Sequence, residues 1–156
     1  MRLHIVAVGR LRSGPEAELI SDYRQRAERS GRPLGISSVS VIEIDERKGG
    51  TKAGEAALLE RALPKGATIV ALDERGKLLS SPDFASRIAS WRDTGRQDLA
   101  FVIGGADGLD PAFVKRADMA LSFGKMVWPH MLARVMLSEQ VYRAVSILAG
   151  APYHRS

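Results

Sequence analysis

Phe101-Val102-Ile103-Gly104-Gly105-Ala106-Asp107-Gly108 is the stretch on which the fold turns. The apolar run that leads into it, Leu99–Ile103, is short and aliphatic, as a buried strand requires. Three glycines within five residues then let the chain turn sharply and bring bare main chain close to a ligand. Comparable apolar runs lie at Leu3–Val8, Ser37–Ile44, Ala67–Leu72 and Met119–Phe123. Five strands alternating with helical stretches predict an α/β protein with a largely parallel sheet flanked by helices. In such sheets ligands settle beyond the carboxyl ends of the strands, which is where the glycine turn falls.

The punctuation between the runs sets the helices. Ser13 is expected to cap a helix with Pro15 in its first turn, ending near Gly31 before Pro33. In the second strand, Val39 and Val41 share one face, and Ile42 and Ile44 the other. Asp45–Gly50 reads as a charged, flexible loop, Thr51–Leu63 as a helix stopped by Pro64, and Asp73–Gly76 as a turn. Ser81-Pro82-Asp83 opens a further helix that Gly95 closes through a left-handed cap. Asp110-Pro111 starts a short one, and the longest runs from about His130 to Ala149. In that last helix Leu132, Val135, Met136, Leu137, Val141, Val145 and Leu148 spread over several sides, so it is expected to be buried on several sides. Two arrangements would do this: a helix covering the sheet and meeting a second subunit, or a deep core helix of a monomer. With no repeat, low-complexity tract or long linker, residues 1–156 are read as one domain.

Composition narrows the function. Of 156 residues, 45% are apolar and 26% charged, the balance of an ordinary globular chain rather than a disordered one. No apolar run approaches the ~18 residues of a membrane span, and the N-terminal run is too short for a signal-peptide core. Cysteine is absent, which excludes disulfides, thiolate metal sites and cysteine nucleophiles. A cytoplasmic enzyme or binding protein is expected. The formal net charge of +5 is concentrated in the first forty residues and the last third. It suits neutralisation of a polyanion's phosphates as well as it suits simple solubility.

Several catalytic patterns are missing. The glycine turn is G-G-x-x-G rather than the dinucleotide fingerprint, and Gly76-Lys77 and Gly124-Lys125 lack the rest of a P-loop. His4, His130 and His154 have no metal-ligand spacing, so no metal is expected. There is no G-x-S-x-G elbow. Asp107 and Asp110 read as a loop residue and a helix cap. Leu121–His130 could wall in a flat ring or simply pack a strand-to-helix connection. Glu139 and Arg143, four apart on the last helix, are expected to form a surface salt bridge. The tail Ala151-Pro152-Tyr153-His154-Arg155-Ser156 places an aromatic, an imidazole and a guanidinium in succession, offering stacking, proton transfer and phosphate contact.

Taken together, Phe101–Gly108, Leu121–His130, the run Arg134–Ala144 and the closing Pro152-Tyr153-His154-Arg155 resemble the SPOUT superfamily. Within it they look like the small bacterial enzymes that methylate N3 of a pseudouridine in 23S rRNA. The likeness extends over nearly the whole chain and includes Ala71–Lys77. It implies a SPOUT-type α/β fold with a C-terminal trefoil knot within about residues 70–156, and a homodimer. It implies S-adenosylmethionine as cofactor, held by Leu72, Gly104, Gly105, Phe123, Gly124, Lys125, Met126, Val127 and Trp128. Gly124 and Val127 stand where Ser and Thr are often found, which removes possible hydroxyl contacts but not backbone ones. It implies 23S rRNA in the ribosome as the substrate, with no metal and no membrane. Catalytic roles would fall to His154, Arg143, Glu139, Tyr153 and Arg155, the tail of one subunit completing the site of the other. His154 or Glu139 would accept the imide proton, and the sequence does not choose between them.

Overall fold

The computed structural model describes residues 1–155; Ser156, the end of the tail, lies outside the described residues. Its strands are β1 (Arg2–Val8), β2 (Ser38–Ile44), β3 (Thr68–Leu78), β4 (Asp98–Ile103) and β5 (Met119–Ser122). They form one parallel sheet in the order β2-β1-β4-β3-β5. The helices are α1 (Pro15–Gly31), α2 (Glu46–Gly49), α3 (Lys52–Ala62), α4 (Ser81–Asp93), α5 (Pro111–Arg116) and α6 (His130–Leu148).

Strand alternation feeds a core on each face of the sheet. Leu3, Ile5, Leu99, Phe101 and Ile103 meet α1, α4 and α6 on one face. Val6, Val8, Ala100 and Val102 meet α3 and α5 on the other. The split expected in β2 holds: Val39 and Val41 join the first cluster, Ile42 and Ile44 the second. Helix α6 packs between α1 and α4, and Leu137, Val141 and Val145 are fully buried. Its flanking helices explain much of its many-sided apolar character. Leu132 nevertheless stays 42% exposed.

The helix starts differ in detail from those expected. The N-cap of α1 is Gly14, not Ser13, and makes no side-chain cap bond. Asp45–Gly50 is not an open loop: the Asp45 carboxylate accepts from the Arg47 N–H and starts α2. Helix α4 starts at Ser81 as expected, and Ser80 caps it by accepting from the Asp83 N–H. Asp110 occupies the N-cap position of α5 without a side-chain cap bond.

Asp73–Gly76, expected as a turn, does not end its strand. Leu72 and Lys77 both pair with Leu121, so the intervening residues bulge out while β3 continues to Leu78. Such a bulge bends the strand and re-aims its side chains. It is tight against its neighbour: a Cβ on Gly76 would come within 2.6 Å of the Ala120 carbonyl carbon.

The amino ends of the central strands are joined by a polar cluster. Arg2 donates to both oxygens of Asp98, each at 2.7 Å, and His4 Nε2 lies 2.8 Å from Asp98 Oδ1. His4 Nδ1 reaches Ser40 Oγ at 2.8 Å on β2. The Arg2 bonds, with a smaller contribution from His4, lower the Asp98 pKa from 3.8 to about 2. A carboxyl depressed in the folded state stabilises the fold above its unfolded pKa, and that contribution is lost as pH falls towards the folded value. Between pH 3.8 and about 2 the urea midpoint should therefore fall in the native protein. It should fall less steeply in Asp98→Asn, and an equally steep acid limb in that variant would contradict the assignment.

Candidate active site

The carboxyl ends of the strands open into a cavity of about 460 Å³. Eight of the nine residues expected to hold a cofactor line it: Leu72, Gly104, Gly105, Phe123, Gly124, Met126, Val127 and Trp128. Lys125 lies in the same loop, exposed, and is not part of the lining. The structure adds Arg75 and His130, which the sequence reading had not placed there.

The glycines divide into two kinds. A Cβ on Gly104 would come 2.6 Å from the Gly108 carbonyl carbon, and one on Gly105 would come 3.3 Å from Val8 Cγ1. The turn's own closure requires the first, whereas the second is packed closely against β1; Gly105 and Gly108 are joined by a short bridge. Gly108 and Gly124 instead take positive φ, and a Cβ on either would meet nothing within 4 Å. All four line the cavity, and at Gly108 and Gly124 the main chain has open space beside it. Ser122 sets the second: its Oγ accepts from the Gly124 N–H at 3.0 Å and donates to the Glu74 carbonyl at 3.0 Å. That hydroxyl ties the β3 bulge to the β5–α6 loop. Beneath the turn, burial raises the Glu55 pKa, and the charges of Asp107 and Glu46 push it further.

The residues expected to be catalytic form a second cluster on α6 and the tail. Glu139 Oε1 accepts from Arg143 Nε at 3.0 Å and from the Tyr153 hydroxyl at 2.9 Å, while Oε2 accepts from Gln140. This pair is partly buried rather than the surface salt bridge expected. The Arg143 guanidinium stands 4.8 Å from the Tyr153 ring centroid, and its Nη1 lies 3.3 Å from His154 Nδ1. A guanidinium can only donate, so Nδ1 is the acceptor there. Arg155 is exposed. Two aromatic residues that sequence reasoning missed support the cluster: Tyr142 packs on Tyr153 at 4.6 Å and on Tyr23 of α1 at 6.2 Å. Tyr23 lies far away in sequence, and no local pattern marks it.

Cluster and cavity are neighbours rather than one pocket. Glu139 lines an adjoining groove of about 530 Å³ that shares Leu121, Phe123 and Gly124 with the cavity. Tyr153, His154 and Arg143 line neither. No group of three or more His, Cys, Asp or Glu side chains is placed to hold a metal ion among the described residues. No helix there is long and apolar enough to cross a membrane.

A family model described as "Predicted SPOUT methyltransferase" matches residues 1–154. The chain belongs to the SPOUT methyltransferase family. A SPOUT relative from Roseobacter denitrificans is 67% identical over 156 residues, all of both chains. Others from Dinoroseobacter shibae and Paracoccus denitrificans are 64% and 63% identical over 155 residues, 99% of each chain. All three carry the name ribosomal RNA large subunit methyltransferase H. Among solved structures, the SpoU methyltransferase AviRb from Streptomyces viridochromogenes, in complex with AdoMet, aligns with a TM-score of 0.43 at 15% identity. That alignment covers 95% of this chain and 58% of AviRb.

Burial first, then the bond to Glu139, pushes the Tyr153 phenol up to about 12. A spectrophotometric titration of the three tyrosines should accordingly show one ionising near pH 12. Tyr153→Phe should remove that late step and leave the others in place.

Proposed function

We propose that this SPOUT methyltransferase transfers a methyl group from S-adenosylmethionine to N3 of a pseudouridine in 23S rRNA, acting on ribosomes in the cytoplasm. Its family and its relatives, 60–67% identical over nearly the whole chain, make it a ribosomal RNA large subunit methyltransferase. The finer reading is carried by one observation: a glycine-lined cavity of mixed apolar and polar walls lies beside an ordered Glu139–Arg143–Tyr153–His154 cluster. The same reading takes the chain as one domain, knotted within about residues 70–156.

The cavity suits the cofactor. Leu72, Leu109, Leu121, Phe123 and Trp128 offer apolar walls to a flat ring, and no side chain at Gly108 or Gly124 stands in its way. When bound, the cofactor supplies a methyl group already activated on a sulfonium. The protein is left to orient the acceptor in line, exclude water and remove the imide proton.

Glu139 takes hydrogen bonds from Arg143, Tyr153 and Gln140, so its lone pairs are engaged and its role is to orient Arg143. His154 is the proton acceptor. Arg143 leaves Nδ1 for a phosphate or a base carbonyl as the nucleotide arrives, which frees that nitrogen. Tyr153 and Arg155 position the nucleotide.

The cluster serves the partner's cavity in a homodimer. Two features support this: Tyr153 and His154 do not line their own chain's cavity, and the neighbouring groove is rimmed by the exposed Leu19 and Leu78, 45% and 66% accessible. The groove lies between α1, α4 and α6 and offers an apolar surface to a second copy.

Calorimetry should show saturable binding of S-adenosylmethionine, and nucleoside mass spectrometry of ribosomes from a strain lacking the gene should gain methylpseudouridine on treatment with the protein. Deleting Tyr153–Ser156 should lower kcat/KM by about 10²–10⁴, the usual range for losing an acid–base group. Mixing that truncation with Gly104→Val, which breaks the turn lining the cavity, should restore about a quarter of native transfer, because half of randomly paired dimers then hold one intact composite site. No recovery from dimers shown to mix would place the tail's action in its own chain.

A further inference from the structure

A second concavity, of about 590 Å³, runs along the β5 edge of the sheet. Arg75, Lys77, Arg87 and Trp91 line it, with Asp118 as its acidic member. Nothing in the cofactor site or the tail cluster uses Lys77, Arg87 or Trp91. Arg75 lines both this groove and the cofactor cavity, so the two adjoin at that residue. We propose that this groove is a phosphate-binding track for the rRNA strand flanking the target nucleotide, an inference that rests on the reading of the protein as an rRNA methyltransferase.

The bulge in β3 builds the track. By looping out Asp73–Gly76 it sets Arg75 and Lys77 on either side of Gly76, which is pressed against the β5 backbone and cannot be lifted away. Asp73 accepts from both the N–H and the Nε of Arg75, at 2.8 and 3.2 Å, which fixes that guanidinium at the junction of groove and cavity. Across the groove, Arg87 stands 5.9 Å from the centroid of the Trp91 ring, a cation–π contact that orders a long side chain without neutralising it. Lys77 and Arg87 have no ion-pair or hydrogen-bond partner among the described residues, although both are exposed. Asp118 spends one oxygen on the Ile69 N–H at 2.8 Å, so its carboxylate is part of the fold.

The chemistry points to a nucleic acid backbone rather than a small anion. Arg75, Lys77 and Arg87 share the groove with the aromatic Trp91, a set that serves phosphates with bases beside them. A flanking strand in this track would hold the target nucleotide at the cavity mouth, which is useful to a small protein that carries no separate RNA-binding domain among the described residues.

The test uses Lys77→Gln/Arg87→Gln in the full-length protein, with Arg61→Gln/Lys65→Gln, on the α3 side, as an equal loss of charge. Ribosome binding is followed by co-sedimentation from 50 to 200 mM salt, and methyl transfer is measured separately. The groove variant should bind ribosomes about tenfold more weakly and lose about 1.5 from the slope of log affinity against log salt, as two phosphate contacts imply. Its KM for ribosomes should rise with kcat nearly unchanged, and calorimetry with S-adenosylmethionine should match the native protein. Equal effects from the two variants, or weaker binding with an unchanged salt slope as for a protein partner, would overturn the proposal. Native protein that binds ribosomes through the groove yet transfers no methyl group would refute the functional reading and leave the groove standing.

Discussion

A buried cation holds the site together. Arg134 of α6 is 1% exposed, and its guanidinium lies beneath the carboxyl ends of β1 and β2. Nη1 meets Glu43 of β2 at 2.6 Å, and Nη2 donates to the Gly9 carbonyl at 3.0 Å. Taking a guanidinium out of water costs several kcal/mol unless its partners replace the lost hydration, so this geometry is tightly specified. The first turn of α6 cannot shift without breaking it. His130, one turn earlier, and the loop from Phe123 to Trp128 are therefore held over the strand ends, where the cavity forms. Glu43 also accepts from the Leu11 N–H at 2.7 Å, which draws the β1–α1 connection into the same anchor.

Much of the scaffold could be read from the chain, because its signals are local. Alternation placed Val39 and Val41 on one face of β2 and Ile42 and Ile44 on the other, and glycine and proline punctuation gave the helix ends closely. What escaped was non-local. Arg134 looks like any surface arginine in a helical pattern until Glu43 and Gly9 are brought to it. Asp98 is a strand-edge acid until Arg2 and His4 arrive from β1 to lower its pKa. The extent of β3 was misjudged because Asp-Glu-Arg-Gly has the composition of a turn, and only β5 alongside shows that pairing resumes at Lys77.

The site was legible in a different manner. Composition and spacing offered only a glycine turn and a polar tail, and the family likeness supplied which residues to watch. The structure then separated them by purpose. Gly104 is small because the turn folds onto itself and Gly105 because it packs on Val8, while Gly108 and Gly124 have open space beside their backbone. Among the polar residues, Glu139, Arg143, Tyr153 and His154 do gather, supported by Tyr142 and Tyr23.

The arrangement of that cluster also bears on what limits the chemistry. A carboxylate that already accepts from Arg143, Tyr153 and Gln140 would have to surrender bonds to take up a proton, and each bond stabilises its anion. The Tyr153 phenol, with its pKa near 12, remains a donor across the physiological range. The cluster is thus built to hold one negative and one positive charge at fixed positions. In the proposed reaction, proton uptake is therefore left to the His154 imidazole, whose Nδ1 is the acceptor towards Arg143. With an activated methyl donor the demand on that base is modest, and the larger part of the barrier is met by alignment of donor and acceptor. A small protein can supply alignment through rigid parts: a buried ion pair under one helix, a bulge locked against an edge strand, and a tail packed on tyrosines.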